Sequence, residues 1–185
     1  PAGVPIDNLK PQPGVAAADQ EAALGLMSKL NRAQVADPVA DRDLEARIKS
    51  FELAYRMQAA APDAMDLAHE TKETHDLYGI GRKECDHFAR QCLTARRLVE
   101  RGVRFVQIYS GGMENERSWD GHIDIQGNHT QFAGETDRPI AGLLTDLANK
   151  GLLDETLVIW AGEFGRLPVA QKGAKPGRDH NPHAN

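Results

Sequence analysis

Two short apolar runs constrain this chain more than anything else in it. Residues 103–109 (VRFVQIY) and 156–161 (TLVIWA) are rich in β-branched and aromatic side chains and bounded by glycines, which is the pattern of buried strands. Between them come a polar loop from Ser110 to about Gly127 and a helical stretch from about His129 to Asn149. Ile140, Leu143, Leu144 and Leu147 line one side of that stretch, and Gly151 closes it. A strand, a long crossover containing a helix, and a second strand favour parallel pairing with a right-handed crossover. The expected class is therefore α/β. Two strands do not make a stable sheet by themselves, and buried parallel strands need neighbours and helices on both faces. The chain is accordingly expected to be incomplete at both ends.

The residues before the first run have a different period. Residues 1–18, with Pro and Gly concentrated in Pro1 to Gly14, suggest a linker or strand remnant. Residues 19–102 suggest a helical layer. Ala23, Leu26, Met27 and Leu30 recur at helical spacing. A second helix after Asp37-Pro38 carries Leu44, Ile48, Phe51, Ala54, Tyr55 and Gln58, and is expected to stop near Ala61-Pro62. Short helical turns follow over Pro62 to His69 and Thr71 to Gly79. A long helix over about Arg82 to Arg101 presents Phe88, Cys92, Ala95, Leu98 and Val99. Residues 103–185 form the α/β portion that carries the loops of chemical interest.

Several function classes are excluded early. A net charge of −5 offers no basic field for nucleic acid. No run of about 18 apolar residues is present to span a bilayer, and Pro1 to Gly14 lacks the charged start and apolar centre of a signal peptide. Cys85 and Cys92 form no Cys-x-x-Cys pair and read as packing residues.

In an open parallel sheet, ligands bind where loops leave the carboxyl ends of strands. After the first run comes Ser118-Trp119-Asp120-Gly121-His122, whose acid and imidazole suit a divalent ion. The same residues also suit a plain turn in which Asp120 caps backbone amides. After the second run comes Gly162-Glu163-Phe164-Gly165-Arg166. Here Glu163 is a further oxygen donor, and Arg166 either grips an oxyanion or pairs with a nearby acid. Gly177-Arg178-Asp179-His180-Asn181-Pro182-His183 adds a cation, an acid and two imidazoles, or else is a charged turn. Converged on one cavity, Asp120, His122, Glu163 and His180 make a mixed oxygen and nitrogen ligand set for a divalent metal such as zinc or calcium. Arg166 and Arg178 then remain to neutralise an anion. His69, His75 and His87 read as surface or capping residues, and His129 is balanced between the two roles. No Gly-x-Ser-x-Gly elbow supports a Ser-His-Asp triad.

These segments resemble the domain-of-unknown-function 1501 family, within the alkaline-phosphatase and sulfatase-like superfamily. The likeness runs through Ile6-Asp7-Asn8-Leu9, Tyr55-Arg56-Met57-Gln58, residues 95–106, Trp119-Asp120-Gly121-His122, residues 136–141, residues 151–156, Gly162-Glu163-Phe164-Gly165-Arg166 and residues 177–182. It implies a partial alkaline-phosphatase-like α/β/α sandwich with parallel strands and a helical amino-terminal layer. The implied activity is metal-dependent hydrolysis of a small phosphate or sulfate ester, and the implied location is periplasmic or extracytoplasmic. The superfamily's Ser, Thr or modified Cys nucleophile lies in a half that has no counterpart in this sequence, so the chain alone is expected to be inactive. Glu163 stands where the superfamily has an Asp-His pair, and His180 resembles its final His ligand. The alternative is a non-catalytic metal- or anion-binding module that kept the fold.

Overall fold

A computed structural model of the chain describes residues 14–34, 42–111, 118–162, 165–170 and 175–181. The chain divides into two compact units, Pro1–Asp66 and Leu67–Asn185.

The first unit contains α1 (Ala17–Gln34) and α2 (Arg42–Met65). Polar groups pin the two helices together: Ser28 Oγ and Arg32 Nη2 both donate to Glu52 Oε1, at 3.0 and 2.9 Å. The helical period of α1 is as the sequence suggests, yet Leu26, Met27 and Leu30 stay exposed. In α2, Ile48 is buried while Phe51 is exposed. The helix runs through Pro62 rather than stopping there.

The second unit holds α3 (Lys72–Tyr78), α4 (Asp86–Glu100), α5 (Ile125–Asn149), and the short strands β1 (Gly165–Arg166) and β2 (His180–Asn181). Single 3₁₀ turns lie at Leu67–His69 and Leu153–Glu155. Local chemistry sets the ends of α3. Thr71 Oγ1 accepts from Thr74 N at 3.2 Å, and Gly79, at φ +85°, takes the left-handed conformation that lets Ile80 N reach His75 O. Tyr78, Ala89, Cys92, Leu93 and Leu67 form the core, with Phe88, Ile108 and Leu143 packed on it. At Gly142, α5 presses on the backbone of α3. A Cβ there would sit 3.0 Å from both Leu77 O and Tyr78 Cα.

A buried ionic cluster ties these helices together. Arg96, only 1% exposed, donates from Nη2 to Glu70 Oε2 at 2.6 Å and from Nη1 to Glu100 Oε2 at 2.7 Å. Its Nε lies 2.8 Å from Asp146 Oδ2, which also accepts from the Tyr78 hydroxyl at 3.0 Å. Arg97 pairs with the other Glu70 oxygen. Burial by itself would raise the pKa of Glu70, but donation from Arg96 and Arg97 outweighs it and holds the carboxyl below its ordinary value. Burial and the facing Asp146 push the Tyr78 hydroxyl well above its ordinary range.

The expected α/β/α sandwich with parallel strands is not what forms. The described residues are mostly helical, and their one sheet is the antiparallel pair β1–β2, with Gly165 opposite Asn181 and Arg166 opposite His180. Residues 103–109 and 156–161 form no ladder with any described residue. Most of their large side chains lie on the surface, Ile108 excepted: Phe105 is 80% exposed, Leu157 85% and Trp160 75%. The physical reason is that a strand is defined by its neighbours. An apolar run has the composition of a buried strand, but without partner strands on its edges it has neither backbone partners nor a face to bury against.

Candidate metal centre

Three segments build the site, and contacts of the main chain fix their relative position. The loop at 118–124 leads into α5, where Asp124 adopts a left-handed conformation (φ +55°) and caps Gly127 N through Oδ1 at 3.1 Å. Segment 175–181 lies directly against this loop. Arg178 N donates to Gly121 O at 2.8 Å, Ile125 N donates to Pro176 O at 3.0 Å, and Lys175 Nζ reaches Asp124 Oδ2 at 2.6 Å. Gly177 permits the approach, since a Cβ there would be 1.8 Å from His122 O. The third segment is β1, whose ladder to β2 is extended by Leu167 N donating to Asp179 O at 2.9 Å.

Trp119 supports the loop from beneath. Its φ of +61° is uncommon for a side chain of this size. The indole donates to Ser110 Oγ at 2.8 Å and packs edge-on to His129 and obliquely on Phe132, each with ring centroids 5.6 Å apart. Asn128 Nδ2 holds the Asp120 carbonyl at 3.3 Å. His129, whose Nδ1 donates to Ile125 O, thus takes a packing role.

On this frame Asp120, His122 and His180 converge, with one candidate ligand atom from each lying within 4.8 Å of the other two. His122 Nε2 is 3.1 Å and His180 Nε2 3.6 Å from Asp120 Oδ1, and the two imidazole rings, tilted by 33°, have centroids 4.9 Å apart. Donors at zinc-ligand distances of 2.0–2.2 Å in a tetrahedron are about 3.4 Å apart. The Asp120–His122 spacing already fits, and the widest spacing has to close by roughly an ångström or more. All three side chains are half-buried, so the centre is open to solvent on one side.

Arg166 also enters the site, although not free of the ligand set: Nη1 donates to Asp120 Oδ1 at 3.1 Å and to Arg178 O at 3.3 Å. Arg178 is more exposed, with Nη1 donating to Leu167 O at 3.2 Å. Glu163 lies outside the described residues. His75 Nε2 is 2.9 Å from Leu67 O, and His87 pairs with Gln91 within α4; neither belongs to the triad. Asp179, the acid of the 177–183 segment and outside the expected ligand set, has its carboxylate next to the ring of His122. Its position directly before His180 was the available signal.

Asp120, His122 and His180 thus define a candidate mononuclear metal-binding triad carried on loops beside a helical core. The family model described as "Protein of unknown function (DUF1501)" matches residues 1–185, and the chain belongs to that family. No curated protein and no solved structure matches it.

Proposed function

We propose that this chain carries a divalent metal centre, ligated by Asp120, His122 and His180, that serves hydrolysis of a small phosphate or sulfate ester. The observation that carries the proposal is the convergence of one carboxylate and two imidazoles from separate segments. Two nitrogen donors and one oxygen donor suit zinc, and suit calcium poorly, because calcium takes six to eight oxygens. When bound, such an ion polarises an ester oxygen and neutralises developing charge.

The chain's own residues divide the remaining work. Arg166 orients Asp120 through its 3.1 Å contact, and its planar fork has further N–H groups to offer an oxyanion. Arg178, exposed and two residues before His180, is a second cation close in sequence to the ligand set. The ester class is drawn from the resemblance of the loop motifs to alkaline-phosphatase and sulfatase-like proteins, and an extracytoplasmic location belongs to the same proposal. A binding module without catalysis remains the second reading: Ser110, the hydroxyl packed against Trp119, is engaged by the indole rather than directed to the triad.

Metal uptake is tested by zinc titration against a chromogenic chelator. Wild type is expected to bind one ion, and Asp120→Ala, His122→Ala and His180→Ala to lose it. Retention of a full zinc complement by all three variants would sink the centre. Reaction class is tested with p-nitrophenyl phosphate and p-nitrophenyl sulfate on a family member that contains a candidate Ser, Thr or Cys nucleophile. Zinc-dependent turnover abolished by the equivalent His-to-Ala change supports hydrolysis; zinc binding without turnover of either ester favours the module.

A further inference from the structure

We infer that Asp179 is a positioning residue for the metal centre, orienting the imidazole of His122 so that Nε2 faces the ion; this rests on the metal-centre reading above. The geometry of the two ring nitrogens carries it. Nε2 of His122 lies 3.1 Å from Asp120 Oδ1, on the ligand side, while Nδ1 lies 3.6 Å from Asp179 Oδ1, on the other edge of the ring. An imidazole that ligates through one nitrogen donates its other N–H to a carboxylate, carbonyl or water, which fixes its tautomer and raises its basicity. Asp179 supplies such a carboxylate.

Its placement is set independently of His122. Asp179 Oδ1 accepts from His180 N at 2.7 Å, and the Asp179 carbonyl accepts from Leu167 N at 2.9 Å, so backbone contacts hold the residue at both ends. One dipeptide, Asp179-His180, therefore delivers a ligand and the carboxylate that orients a second ligand from another loop. At 3.6 Å the contact between His122 Nδ1 and Asp179 is longer than a hydrogen bond, whose range is about 0.5 Å closer.

Asp179→Asn separates positioning from a structural role. The amide oxygen still accepts from His180 N, whereas the negative charge facing Nδ1 is gone. The full chain is titrated with zinc, and its cobalt(II) form is followed by visible absorption, for wild type, Asp179→Asn, Asp179→Glu and Asp120→Ala. Asp179→Asn is expected to weaken zinc by about 10–100-fold and to alter the cobalt d–d bands. The metal-free melting temperature should be unchanged, and Asp179→Glu should recover part of the affinity. Wild-type affinity and spectrum in Asp179→Asn, with binding lost in Asp120→Ala, overturn the role of Asp179 and leave the centre standing. Loss in both Asp179 variants together with a lowered metal-free melting temperature assigns Asp179 to holding segment 175–181, and also overturns it. Should wild type bind neither ion, or Asp120→Ala bind like wild type, the centre itself fails and the inference with it.

Discussion

Gly177→Ala is the sharpest perturbation available, because one added methyl group strikes the joint that assembles the site. The new Cβ would lie 1.8 Å from His122 O, 2.1 Å from His122 C and 2.5 Å from Gly121 O, all of them backbone atoms that no rotamer change moves aside. Non-bonded carbon contacts settle near 3.5 Å, so segment 175–181 has to retreat by roughly 1.5 Å. Gly177 is not among the glycines with positive φ, so the requirement is close approach rather than conformational freedom. Retreat breaks the bonds from Arg178 N to Gly121 O and from Ile125 N to Pro176 O, each contributing about 0.5–1.5 kcal/mol. The expected cost is about 1–3 kcal/mol of local stability. The functional cost is larger, since a shift of that size carries His180 beyond ligand distance from the other two donors, leaving two ligands where three are needed. Zinc affinity measured by chelator competition should fall at least 100-fold by the ligand-count reasoning, while the helical circular dichroism signal stays the same. Gly134→Ala is the control. It sits in α5 with nothing near its added Cβ, and should stabilise by about 0.5–1 kcal/mol with unchanged zinc affinity. Wild-type zinc affinity in Gly177→Ala would refute the docking of segment 175–181 as the assembling contact.

Other consequences are as direct. Glu70→Gln removes one carboxylate partner from buried Arg96, which keeps Glu100 and Asp146, and from Arg97, and should cost about 1.5–3 kcal/mol in urea unfolding at pH 7. Since the folded-state pKa of Glu70 lies below its ordinary value of 4.5, its contribution is present above that value and disappears as pH falls through the depressed one. Wild type should therefore lose stability more steeply than Glu70→Gln on acidification below about pH 5; parallel curves would show that Glu70 is not the linked group. Burial pushes the Cys92 thiol up to about 12, so it should react with a disulfide reagent only on unfolding, and prompt modification of Cys92 in the native chain would contradict its burial. Replacing His69, His75 or His87 by Gln should leave zinc affinity unaltered, and loss of zinc in any of the three would relocate the site.

What could be read directly from the residues was local. Helical spacing and closing glycines placed α3, α4 and α5 within a few residues, because a period of 3.6 and a Gly79 that turns left act through neighbours in sequence. Chemistry was legible in the same way: Asp120-Gly121-His122 and the Asp179-His180 segment are ligand types at short spacing. Whether they meet was not, because that depends on a glycine fitting under a carbonyl 55 residues away and on a two-residue antiparallel ladder that no periodicity announces. Arg166 is a further case. Its charge marked it for an anion, and the fold supplied one in the form of Asp120.

The apolar runs at 103–109 and 156–161 mark where sequence stops deciding. Side-chain chemistry determines that such a run favours an extended backbone and a dry environment. Only the tertiary structure determines whether a neighbour exists to provide them, since the hydrogen bonds of a strand belong to its partner. In this structure both runs remain largely exposed and unpaired, with Ile108 alone of their residues packed on the described core, and the α-helices, which satisfy their backbone groups internally, carry the fold.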